Sequence, residues 1–149
     1  MPDSTAVYVD TSVLVKWFIE EQNSSLVDTF FEQKLNYTLS DLVILEFDCT
    51  LRRIQRSGKI TEDYRLKAAQ TLAEQIQDQW FEKVTFSNQI FRDAKRLIEQ
   101  VAPLALRSLD AVHLTIAQSH GIPQLATTYA EMLDAAKKIG LTVHYFGRS

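Results

Sequence analysis

Cysteine is all but missing from this chain of 149 residues. Cys49 stands alone, so no intrachain disulfide can form and the fold must rest on a packed core. Four glycines and three prolines are too few for a collagen-like or low-complexity chain, and no Pro/Gly-rich stretch marks a linker. No run approaches the ~18 consecutive apolar residues of a spanning helix. Lys16, Glu20 and Glu21 interrupt the best stretch. The first ten residues lack the basic start and apolar core of a secretory signal. With a lone cysteine, the expectation is a reducing cytoplasm and no membrane role. Basic residues do not dominate either. Sixteen of them against 19 acidic residues leave a net charge of −3, so charge alone provides no nucleic-acid footprint. Three carboxylates holding divalent ions would account for that excess, which keeps phosphate substrates open.

What is present suits a globular domain. With 46% hydrophobic and 23% charged residues, a chain of this length buries about two-thirds of its unfolded surface. One domain over residues 1–149 is expected. Ala6-Val7-Tyr8-Val9 predicts a short strand, and Asp10-Thr11-Ser12 supplies capping residue types for a helix through Ile19. A second helix is expected over 25–33, a strand at 37–39, and a third helix from Asp41 towards Ser57. Leu42-Val43-Ile44-Leu45 also reads as a buried strand. Tyr64, Ala68, Leu72, Ile76 and Trp80 recur at four-residue steps, predicting a long helix over 61–80. A strand over 81–86 leads to a helix with Ile90, Ala94, Leu97, Ile98 and Val101 on its face. Leu106, Leu109, His113, Leu114 and Ala117 mark another helix, ending near Gly121. Gln124–Thr127 then reads as a strand, 129–139 as a helix stopped by Gly140, and 141–145 as a closing strand. Short strands alternating with helices are the pattern of an α/β fold with a parallel sheet. Ligands of such sheets bind beyond the carboxyl ends of the strands, where strand order reverses.

Three acids stand out, and Asp10 is at such a place. Asp10 ends the first strand, although taken alone it reads as a helix N-cap. Glu46 shares a helix face with Leu42, Val43 and Cys49, so it snorkels, is paired, or binds a cation. Asp110 lies on one stripe with Leu106, His113, Leu114 and Ala117, with a first-turn acid favoured by the helix dipole as its plainer reading. Three acids at or near helix starts make a metal site the better joint explanation. Mg²⁺ and Mn²⁺ prefer oxygen ligands, and such a site can activate water against a phosphodiester.

Val7-Tyr8-Val9-Asp10-Thr11-Ser12, Val43-Ile44-Leu45-Glu46-Phe47 and Leu109-Asp110-Ala111-Val112-His113-Leu114 together resemble the PIN-domain family. Within that family the chain is most similar to VapC-like toxins, small metal-dependent ribonucleases neutralised by a cognate antitoxin protein. The resemblance implies a three-layer α/β/α sandwich around a central parallel sheet, Mg²⁺ or Mn²⁺ at the acidic pocket, and endonucleolytic cleavage of RNA. It also implies an antitoxin partner and a homodimer. Asp10, Glu46 and Asp110 fall on the first three acidic positions and are expected to hold the metal and carry catalysis, with Thr11, Ser12, Thr127 and Glu131 as auxiliary positions. One departure stands out. The family carries a further acid after the fourth strand, in a segment similar to Thr127-Thr128-Tyr129-Ala130-Glu131, and Ala130 stands at the expected place. Glu131 projects about 100° around a helix from residue 130. An alternative reading is therefore a degenerate PIN-fold module that binds RNA or protein with weak or no nuclease activity.

Arg52, Arg53, Arg56 and Lys59 form a basic run that could contact RNA phosphates, with a solvated helix end as the plainer reading. Arg107, three residues before Asp110, would steer phosphate or pair with an acid. His113 reads as a hydrogen-bonded core residue rather than a general base, and His120 and His144 show no partnering pattern. Trp17, Phe18, Phe30 and Phe31 supply apolar surface for the core, a dimer interface or an antitoxin groove. A receiver-like phosphoacceptor domain is a weaker reading, because no lysine follows either of the last two strands.

Overall fold

In the computed structural model, which describes residues 3–148, Ala6–Val9 forms strand β1 and is buried at all four positions. That pattern belongs to a strand covered on both faces. It leads to helices α1 (Thr11–Phe18) and α2 (Ser24–Phe31), strand β2 (Asn36–Ser40), and helices α3 (Asp41–Arg56) and α4 (Glu62–Gln77). Strand β3 (Glu82–Val84) and helices α5 (Gln89–Val101) and α6 (Ser108–Ser119) follow. The chain closes through β4 (Gln124–Thr127), α7 (Ala130–Lys138) and β5 (Thr142–Tyr145). The segment 42–45 is thus helical, its start capped by Ser40 Oγ, which accepts from the Val43 N–H at 3.4 Å.

The five strands form one parallel sheet in the order β3-β2-β1-β4-β5. Val7 pairs with Tyr37 on one side and Gln124 on the other. Right-handed crossovers place α1 to α4 on one face and α5 to α7 on the other. The helix contacts agree: α1 packs on α2 and α3, and α3 on α4, whereas α6 packs on α5 and α7. The result is the expected α/β/α sandwich. From β1 the chain builds outward to β2 and β3, then returns to the far side of β1 as β4. The topological switch point therefore lies between the carboxyl ends of β1 and β4.

One helix departs from its predicted stripe. A step of four residues advances 400°, so each repeat drifts 40° around the helix. The line from Tyr64 to Trp80 accordingly winds out of the core: Ala68 and Leu72 are buried, Tyr64 is exposed, and Arg65 takes an inward position. Helix α4 ends at Gln77 and Gln79 has a φ of 63°, which carries Trp80 off the helix. Its ring instead stacks on Tyr37 and Trp17, with centroids 5.0 Å away in each case. No helix among the described residues is long and apolar enough to cross a membrane.

Candidate active site

Asp10 is placed by backbone bonds on both sides. Its N–H donates to Ala126 O at 3.0 Å, extending the β1–β4 ladder, and its carbonyl accepts from the N–H groups of Val13 and Leu14 at the start of α1. It occupies the N-cap position, yet its carboxylate caps no helical N–H. That side chain, only 2% exposed, turns into the cleft instead. Oδ2 accepts from Ser12 Oγ at 2.8 Å and Thr127 Oγ1 at 3.0 Å. Burial raises its pKa above the ordinary carboxylate range; the charge of His113 and the bonds from Ser12 and Thr127 act against that rise, and the charge of Asp110 adds to it.

Glu46 reaches the same place from the middle of α3, half-buried beside Val43, while Cys49 on its other side is exposed. Its Oε1 accepts from Thr11 Oγ1 at 2.8 Å and from His113 Nε2 at 2.5 Å. Burial alone would raise its pKa. The bond from His113, that residue's charge, the Thr11 bond and the charge of Arg107 outweigh burial and bring it below the ordinary value. Asp110, in the first turn of α6 and 6% exposed, accepts from Arg107 Nε at 3.0 Å through Oδ2. The Arg107 guanidinium also lies 4.9 Å from the centre of the Tyr129 ring.

The three acids share a pattern. Each commits one oxygen to protein donors, and among the described residues no donor reaches the other oxygen, Asp10 Oδ1, Glu46 Oε2 or Asp110 Oδ1. All three line one cleft of about 610 Å³. This donor set fits a hard divalent cation, which takes one oxygen from each of a few carboxylates and completes its shell with water and phosphate. Among the described residues, the group of potential ligand atoms that lie within 4.8 Å of one another is drawn from Asp10, Glu46 and His113, without Asp110. Both His113 nitrogens already have protein partners, Nε2 in Glu46 and Nδ1 in Tyr8.

Below the acids runs a buried chain of hydrogen bonds. His113, 1% exposed, meets the Tyr8 hydroxyl through Nδ1 at 2.7 Å, and that hydroxyl meets Ser40 Oγ at 2.8 Å. Burial lowers the pKa of His113, but its bond to Glu46 and the charges of Asp10, Glu46 and Asp110 prevail and raise it. His113 is therefore the hydrogen-bonded core residue its stripe predicts, with a site carboxylate as partner. His120 and His144 lie elsewhere, bonded to Thr85 O and Gln124 Oε1 respectively.

The structure sorts the other expected positions. Thr11, Ser12 and Thr127 all bond the acids, whereas Glu131 is exposed on α7 and does not line the cleft. Arg53 and Arg107 line it; Arg52 turns to Asp48 at 2.8 Å, and Arg56 lies outside. Ala130, expected to stand where a further acid belongs, is also outside the cleft. Tyr129, which precedes the first helical residue and keeps an extended backbone (φ −100°, ψ 125°), faces the acids in its stead. Sequence reasoning missed Tyr129, Lys16 and Tyr8 as parts of this region. Tyr8 had a signal, since a strand period of two puts it on the face of Asp10.

The PIN domain family model matches residues 7–138, and the chain belongs to that family. Among solved structures, its fold is similar to that of Mycobacterium tuberculosis VapC20, described as a sarcin-ricin loop cleaving toxin. The TM-score is 0.69 at 14% sequence identity, covering 87% of this chain and 94% of that one. VapBC2 from Rickettsia felis, bound to a DNA fragment from their promoter, gives a TM-score of 0.65 at 12% identity, with 95% and 98% covered. FitAcB from Neisseria gonorrhoeae gives 0.65 at 14% identity, with 92% and 95% covered. At these identities the likeness is one of fold. No curated protein matches the chain by sequence.

Proposed function

We propose that this protein is a metal-dependent endoribonuclease, one PIN domain over residues 1–149, acting as the toxin of a toxin-antitoxin pair. The observation that carries the reading is the set of three carboxylates at the switch point, each with one oxygen clamped and one left to the cleft. Family membership and the likeness to VapC20 and VapBC2 support the substrate and the antitoxin partner. A homodimer in the cytoplasm completes the proposal.

Asp10, Glu46 and Asp110 would hold Mg²⁺ or Mn²⁺. When bound, the cation supplies a nucleophilic water and stabilises charge on the phosphodiester. The chain's own groups do the rest. Ser12 and Thr127 fix the rotation of the Asp10 carboxylate, and Thr11 and His113 fix that of Glu46. Arg107 and Arg53 bring positive charge to the rim, where phosphate oxygens of the strand lie, and Arg107 also orients Asp110. A second reading, a degenerate binding module, draws on the absence of a fourth acid.

The test is cleavage of a mixed RNA pool by the purified chain without its antitoxin. Cutting that needs Mg²⁺ or Mn²⁺, and that stops with a chelator or with Asp10→Asn, is the expected result. Undiminished turnover by a folded Asp10→Asn chain overturns the residue assignment, and RNA binding without cutting by the native chain favours the second reading.

A further inference from the structure

Beside the acid cleft lies a second hollow of about 440 Å³, and Lys16, Glu21, Thr128 and Tyr129 wall both. Tyr129, 39% exposed, is the ridge between them. The far wall comes from the end of β5, which brings Tyr145, and from the segment after it, which brings Arg148. This wall is held in place. Asn23 donates to the carbonyls of Phe146 and Gly147 at 3.2 Å each, and the Tyr145 hydroxyl donates to Arg148 O at 3.0 Å. Gly147 lies so close to the end of β4 that a Cβ there would fall 2.3 Å from Thr128 O.

The chemistry of the hollow is selective. Two phenol rings and two cations surround it, and its one acid, Glu21, already faces Lys16 at 3.4 Å. A metal site would need more acids, and a dry peptide groove would need more apolar wall. Aromatic faces beside cationic side chains are what an unpaired nucleotide requires: the base stacks while the phosphate meets the charge.

We infer that this hollow is a nucleotide subsite, taking an unpaired residue of the RNA strand just beyond the two nucleotides whose shared phosphate lies at the acids. The inference rests on the ribonuclease reading of the cleft and adds that the substrate is single-stranded there. A base inside a duplex has both faces stacked and cannot lie against Tyr145. Arg148 meets the phosphate, while Lys16, already bonded to Gln22 O at 2.7 Å, contributes field rather than contact.

The experiment uses the full chain carrying Asp10→Asn, titrated with single-stranded RNAs of two and six nucleotides and with a six-base-pair duplex. The longer strand is expected to bind about ten-fold tighter than the dinucleotide, within the range of one stacked base. Tyr145→Leu and Arg148→Ala, added separately, should each remove most of that advantage and leave dinucleotide affinity unchanged. Tyr145→Phe, which keeps the ring, should retain it, and the duplex should gain nothing. If Tyr145→Leu fails to fold, Arg148→Ala and Arg148→Glu, at an exposed position, decide alone. Equal hexanucleotide affinity with and without these changes overturns the subsite and leaves the nuclease reading intact. Length-dependent binding that needs Tyr145, in a native chain that never cuts RNA, overturns the nuclease reading and leaves the subsite standing.

Discussion

His113 on α6 donates through Nε2 to Oε1 of Glu46 on α3 at 2.5 Å, so helices from opposite faces of the sheet meet around the carboxyl end of β1. The bond leaves Glu46 Oε2 without a protein donor and sets where it points. Replacing His113 with Ala should free that carboxylate and open a buried gap. Outer-shell changes of this kind cost about 10- to 100-fold in metal affinity or activity. His113→Gln, which offers a donor at a similar reach, should recover part of the loss. Calorimetric Mn²⁺ affinity, read beside kcat and KM on RNA, separates a loosened site from a destabilised fold.

Asp10 makes a prediction about stability. Its native pKa is raised, chiefly by burial. Between the unfolded value of about 3.9 and the native one, the folded state binds more protons. Its contribution therefore falls as pH rises through that window, and above the native value the ionised group opposes folding in the metal-free protein. Asp10→Asn should melt at a higher temperature than the native chain in a chelator. Addition of Mn²⁺ at a hundred times its Kd should stabilise the native chain by about 2.7 kcal/mol and the variant by much less. A lower melting temperature for the metal-free variant would contradict this account.

Tyr129 and Ala130 differ in what an added acid could do. Tyr129 lines the cleft and Ala130 does not. Ala130→Asp, on the wall of the neighbouring hollow, should leave cation affinity unchanged. Tyr129→Asp places a carboxylate beside the other acids and should raise cation affinity while weakening RNA binding through loss of the ring. Activity gained only by Ala130→Asp would return the missing acid to residue 130.

His144, partly buried on β5 beside Phe30 with ring centres 4.9 Å apart, has its pKa lowered by burial. The unfolded chain then binds the proton first as pH falls. Stability from this residue is present above the unfolded pKa of about 6.5 and is lost as pH falls through the native value. His144→Gln, which keeps a donor for Gln124, should show a smaller loss of urea midpoint between pH 7 and pH 5 than the native chain.

Local pattern carried much of this protein into view. The strand run before Asp10, the apolar faces of α5 and α6 and the glycine after α7 are readable because periodicity and chain reversal act over a few residues. The alternation of strands and helices implied a parallel sheet, Glu46 and Asp110 could be picked as acids among apolar neighbours on helix faces, and Asp10 as the acid that ends an apolar strand. Where a four-residue step was extended to Trp80, the reading failed, because a helix turns by 3.6 residues and small drifts accumulate. The remainder belongs to the tertiary structure alone. Strand order puts β4 beside β1, and only that brings Thr127 onto Asp10. The bond between His113 and Glu46 spans 67 positions of chain, and the facing of Tyr129 rather than Ala130 depends on one extended backbone turn before α7. Such distances and directions follow from packing of the whole sheet, which no local spacing encodes.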